Sequence, residues 1–181
     1  MDTSDLGVPG ATGRLVIALL GATIYATSGA VMGSMNADWF GLERNANALL
    51  PPLGVGAALV VIAFASSTFN RRLREIGKLG RATQVLLVVG PLLFVLGFVI
   101  DFAILGTLAV GAGLVCLAVA VVRRKLVSAT DRALIILSAV GSLTWNTQTL
   151  SAFLLVGVGL IWAILSIRLL RSSTGSEFAS G

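Results

Sequence analysis

Residues 85–122 read VLLVVGPLLFVLGFVIDFAILGTLAVGAGLVCLAVAVV, an apolar run interrupted by one charge, Asp101. A single helix of about 38 residues would be about 57 Å long, nearly twice a hydrocarbon core of about 30 Å. Two membrane-crossing helices joined by a tight turn at 100–103 fit a bilayer better, and Asp101 then lies at an interface. An aspartate at mid-bilayer costs about 3 kcal/mol on insertion scales. That cost favours the turn over the alternative, an intramembrane proton or cation site at Asp101.

Working outward, runs at 15–34, 48–67, 132–148 and 150–167 join the two halves, 84–100 and 103–122, as six candidate spans of close to the roughly 20 residues a bilayer requires. The chain has 181 residues, 56% of them hydrophobic and 12% charged, against about 25% charged in a typical soluble domain. Its mean hydropathy is +0.98. The expected architecture is an all-α, polytopic integral membrane protein: six transmembrane helices as three consecutive helical hairpins, forming one domain over residues 1–171. The polar stretch 172–181 reads as a disordered tail. The first run is longer than the apolar core of a cleaved signal peptide, about 7–15 residues, and reads as a retained helix. Cys116 is the lone cysteine, which rules out an intramolecular disulfide.

With six spans, every basic residue but one falls on the same side. Arg14, the 71–81 loop, Arg123, Arg124, Lys125, Arg132, Arg168 and Arg171 share that side; Arg44 is alone on the other. Short loops obey the positive-inside rule, so both termini are expected in the cytoplasm of a multi-pass plasma-membrane protein. The same rule explains the net charge of +5 and pI of 10.7 without nucleic acid.

The first span carries Ala18, Ala22, Ala26 and Ala30 every four residues, with Gly29 and Gly33 forming a GxxxG. Small residues on one face let a second backbone approach, which is how helices associate in lipid. The stripe serves either packing within the bundle or docking of a membrane partner or second copy. Three short segments, LGVGA at 53–57, VGAGL at 110–114 and VGVGL at 156–160, recur in the second helix of each expected hairpin. They read as parallel repeats or as chance in an Ala/Gly/Val/Leu-rich chain. At the level of architecture, six helices in this length with ALLGA at 18–22 and ATIYA at 22–26 resemble the substrate-binding components of energy-coupling-factor vitamin transporters. That resemblance implies an external pocket for a vitamin-sized molecule and docking through the first helix.

Catalytic chemistry has few candidates. There is no histidine, hence no imidazole base or metal ligand, and no two acids flank a plausible site within a span. The chain is expected to be non-enzymatic, with no cofactor or metal. Unexplained polarity gathers on the outer side: Asp38, Trp39, Glu43, Arg44 and Asn47 in the first external loop, and Trp145, Asn146 and Gln148 at the end of the fifth span. With Tyr25 and Asp101, these form either an interfacial belt or an outward-facing pocket for a small polar ligand. The longest basic loop offers Phe69, Leu73, Ile76 and Leu79 on one helical face, with Arg71, Arg72, Arg74, Lys78 and Arg81 as charge. Such a segment suits anionic lipid or serves only to set topology. The function expected first is a membrane subunit acting through helix packing with a partner; the alternative is a small-molecule binding or transport component.

Overall fold

A computed structural model describes residues 10–37, 46–65, 67–96, 100–144 and 150–175. The described residues contain seven α-helices: α1 (Ala11–Asn36), α2 (Leu50–Ala65), α3 (Thr68–Arg74), α4 (Lys78–Val95), α5 (Ile100–Arg124), α6 (Ala129–Thr144) and α7 (Leu154–Gly175). Single 3₁₀ turns, Ala46–Leu49 and Leu150–Phe153, lead into α2 and α7. No strand occurs among the described residues.

Four helices are by themselves long and apolar enough to cross a membrane: Thr12–Asn36, Lys78–Val95, Ile104–Arg124 and Ser151–Leu170. The pair α2 and α3, bent by 84°, supplies a fifth candidate if counted as one broken span. α6, with 16 described residues, falls short of a full crossing. The described residues thus carry four to five of the six expected spans. Large apolar side chains cover the outside; Val16, Ile62, Val85, Ile104, Leu137 and Leu160 are all more than half exposed. A surface of this kind is an aggregation hazard in water and is ordinary against lipid.

The long helices form a closed ring. α1 packs on α2 and α7, α2 on α4, α4 on α5, α5 on α6, and α6 on α7. Successive helices run in opposite directions. Ala18 near the start of α1 therefore meets Ala63 and Leu170 near the ends of α2 and α7, and Gly33 near the end of α1 meets Phe153 just before α7. The basic segments consequently collect at one end of the ring, called here the basic end.

Glycine explains how the ring closes. A Cβ on Gly54 would lie 2.7 Å from Phe94 Cβ of α4, and one on Gly56 would lie 2.7 Å from the Gly21 carbonyl of α1. Two residues along a helix is a rotation of about 200°, so a GxG pair presents one glycine to each neighbour in the ring. In α5, Gly111 faces Leu143 of α6 and Gly113 faces Leu86 and Leu87 of α4. In α7, Gly159 faces Ala22 and Ala26 of α1, whereas a Cβ on Gly157 would meet nothing within 4 Å. On that side the glycine belongs to α6, where Gly141 receives Val158.

Two boundaries differ from the sequence expectation. The apolar run 85–122 is divided into two helices, but α4 ends at Val95 and α5 begins at Ile100. Asp101 is therefore in the first turn of a helix rather than in the connection. Aspartate is a residue type favoured in the first turn of a helix, so a helix that starts before it is consistent with the sequence. At the other end of the chain, α7 continues to Gly175, into the stretch read as tail; residues 176–181 lie outside the described set.

Candidate functional site

At the basic end the chain leaves α2, turns and crosses the ring as α3. The corner is built from side chains. Ser67 caps α3, its Oγ accepting from the Asn70 amide and donating to the Phe64 carbonyl. Asn70 Nδ2 donates to the Ala65 carbonyl at 2.6 Å. Gln84 Nε2 of α4 donates to Asn70 Oδ1 at 2.6 Å, tying α3 to the next helix. Phe64 and Phe69 meet edge to face across the corner, with centroids 6.2 Å apart.

α3 returns to α4 through Gly77, whose φ of 83° is the left-handed conformation that glycine adopts at least cost. Gly80 then lies against the Leu73 carbonyl so closely that no Cβ would fit. The short helix is amphipathic. Leu73 is buried, with Phe69, Ile76 and Leu79 packed on the same core, while Arg71, Arg72, Arg74, Lys78 and Arg81 are exposed. The apolar face of α3 thus covers the end of the ring, with Arg71 and Arg72 exposed and Arg74 exposed beside the cavity.

Beneath α3 lies a cavity of about 230 Å³. α2 lines it from Ala57 to Ala65, α4 from Gln84 to Pro91 and α5 from Val110 to Leu117. Ser138 of α6 and Trp162 and Leu165 of α7 complete the wall, and Phe69 and Leu73 of α3 close the top. At 1.5 Å per residue, the eight steps from Ala57 to Ala65 give a depth of about 12 Å. α1 stands behind the wall: its Tyr25 ring packs on Trp162 at 4.6 Å. The lining is overwhelmingly apolar. Asn70, Arg74 and Gln84 supply polar groups at the α3 end, and Ser138 sits deeper.

Ser138 donates to the Ile135 carbonyl of its own helix. The hydroxyls of Thr23, Ser28, Ser34, Thr83, Thr144 and Ser166 likewise bond back to carbonyls in the preceding turn. Such back-bonding satisfies a hydroxyl inside its own helix where no water reaches. Pro91, inside α4 and on the cavity wall, cannot donate to the carbonyl four residues before it.

A smaller recess of about 190 Å³ lies on the other side of Phe69 and Leu169, bordered by Arg72, Ser128 and Asp131. Ser128 begins α6, accepting from the Asp131 amide and donating to Asp131 Oδ2, and Arg168 Nε of α7 donates to Asp131 Oδ1. Asp131 precedes the apolar part of α6. Burial pushes its carboxyl upward, but the Ser128 bond and the Arg168 guanidinium outweigh burial and hold it below its ordinary 3.8.

Of the side chains expected at an outer pocket, only Tyr25 is fully described, and it is buried in the ring. Asn47 lies in the 3₁₀ turn before α2, and Asp101 in the first turn of α5. Asp38, Trp39, Glu43, Arg44, Trp145, Asn146 and Gln148 fall outside the described residues. The small residues of α1 are used within the chain: Ala18 against α2 and α7, Ala22 and Ala26 against Gly159, Gly29 against Leu155, and Gly33 against Phe153; Ala30 is half-buried. The cavity residues Asn70, Gln84 and Trp162 carried no signal of their own in the sequence, because the site is assembled from six separate elements. No group of residues able to hold a metal occurs among the described residues. No family model, curated protein or solved structure matches this chain.

Proposed function

We propose that this protein is a multi-pass cell-membrane protein with six spans and both termini in the cytoplasm, which binds a small, largely apolar molecule inside its helix ring without catalysing a reaction on it. The cavity under α3 carries this reading. Interiors of helix bundles are close-packed, with few voids larger than a water molecule. An engineered apolar cavity of about 150 Å³ accommodates benzene, and this one, at about 230 Å³, is larger. The back-bonded hydroxyls and the absence of histidine favour holding a ligand over transforming it.

The other role expected from the sequence, docking on a membrane partner through the first helix, has less support. The stripe that would carry it is occupied by α2 and α7. Orientation rests on the positive-inside rule together with the gathering of cations at one end.

The test is native mass spectrometry of the protein taken from its own membranes in mild detergent. The wild type is expected to retain a bound small molecule that Ala57→Phe, which fills the cavity, does not retain. Equal spectra for the two would overturn the proposal. Single cysteines placed at 45 and 173 in a Cys116→Ser background test orientation; labelling of position 173 from outside intact cells would reverse it.

A further inference from the structure

We infer that the cavity is entered sideways, between α2 and α4, by a single-chain amphiphile with an anionic headgroup drawn from the membrane leaflet at the basic end; this rests on the binding role proposed above. The opening is read from side chains that line the cavity and are also exposed. Ala65 of α2, Arg74 of α3 and Val88 of α4 meet both conditions, Val88 at 48% exposure. They mark the seam where α2, α3 and α4 converge. Farther along the same seam, at Gly54 and Phe94, α2 and α4 are in backbone contact and no passage remains. The gap therefore exists only near the basic end.

The chemistry of the occupant follows from what the cavity can and cannot discriminate. Lipid tails are as apolar as leucine, so an apolar pocket in a membrane has no hydrophobic advantage over the bilayer. Selection must come from the polar end. There Arg74 lies beside the opening with no ion pair among the described residues; its neighbour in sequence, Glu75, is exposed and makes none. Gln84 Nε2 donates to both Asn70 Oδ1 and the Asn70 carbonyl, which leaves the Arg74 guanidinium as the cation at the opening. A guanidinium at the mouth of a hydrocarbon slot matches an anionic oxygen group on one alkyl chain. Arg71, Arg72, Lys78 and Arg81, exposed around it, enrich such anions at that surface.

The test uses the full chain in phosphatidylcholine vesicles with an alkyl phosphate that carries a photoactivatable diazirine in its tail, in competition with an unlabelled alkyl phosphate or the alcohol of the same chain length. Crosslinks are expected on Leu114, Leu117 or Trp162. The phosphate should compete better than the alcohol, with Arg74→Gln weakening it about fivefold and leaving the alcohol unchanged. Val88→Trp, at an exposed position, should cut labelling severalfold by blocking the seam. Crosslinks in the cavity with equal competition by phosphate and alcohol would overturn the anionic amphiphile while leaving a cavity ligand standing. Labelling unaffected by Val88→Trp would overturn the lateral entry. Crosslinks confined to lipid-facing side chains would overturn this inference and the binding role together.

Discussion

The two ends of the helix ring are built differently. Away from the basic end, Gly29, Gly54, Gly56, Gly90, Gly106 and Gly159 bring neighbouring backbones close enough that an added Cβ would overlap or crowd the facing helix. Toward the basic end, Phe64, Phe69, Leu73, Trp162 and Leu165 hold the helices apart around a cavity. Membrane helices gain little from burying apolar surface, since lipid offers the same environment; their association rests on packing. An end closed through backbone contact is therefore rigid, and an end spaced by long side chains has room for a guest.

The hardest way to break the comparison is to add volume to a closed seam. Gly54→Leu would bring side-chain atoms against Phe94 Cβ and the Pro91 carbonyl, both already 2.7 Å from an ideal Cβ. The expected loss is about 3 kcal/mol, at the upper end for overpacking, read as a fall in melting temperature in detergent. If Gly54→Leu melts with the wild type, the seam is not closed by backbone contact.

Less is expected from the ion pair at the basic end. Asp131→Asn removes a partner from Arg168, whose side chain is 45% exposed, so the cost is about 1 kcal/mol after solvent screening. The sign of its pH dependence follows from the lowered carboxyl. A carboxylate that is more acidic when folded stabilises fully above its unfolded value of 3.8, and that contribution disappears as pH falls through the lower folded value. The difference in melting temperature between wild type and Asp131→Asn should hold at neutral pH and close in acid below 3.8. A difference that widens in acid would contradict the assignment.

A comparable or smaller effect belongs to the clamp on α3. Gln84→Ala removes the bond to Asn70, worth about 1 kcal/mol. Its sharper signature is local. A cysteine replacing Leu73, which is 3% exposed, in a Cys116→Ser background should react faster with a water-soluble maleimide when Gln84 is alanine. Unchanged reactivity would mean that the apolar face of α3 holds the cover by itself.

These regions were unequally legible in the sequence. The apolar runs announced the helices, and alternation of basic with non-basic connections announced which ends share a side. The small residues of the first span were visible as a stripe. Their partners were not, because Gly159 and Leu155 lie more than a hundred residues away in the chain. The three GxG segments were visible as a repeat; that the pairs in α2 and α5 serve two neighbours and the pair in α7 serves one required the ring. The face formed by Phe69, Leu73, Ile76 and Leu79 was readable from its spacing, which fits lipid and a bundle end equally well. The cavity had no signature, since an empty volume is defined by what six elements fail to fill.

The smallest expected effect isolates the logic of the repeat. The segment at 156–160 has two glycines, and the ring makes use of one. A methyl group on Gly159 would lie 2.7 Å from Ala26 Cβ and 2.9 Å from the Ala22 carbonyl, whereas one on Gly157 would touch nothing within 4 Å. Gly157→Ala should therefore be neutral, or stabilising by up to about 1 kcal/mol through helix propensity alone, and Gly159→Ala should lower the melting temperature. In α2 the two positions should behave alike, because Gly54 and Gly56 both abut a neighbour. If Gly157→Ala proved as damaging as Gly159→Ala, the GxG segments would matter for a property of each helix itself, and the assignment of one glycine to each neighbour would fail.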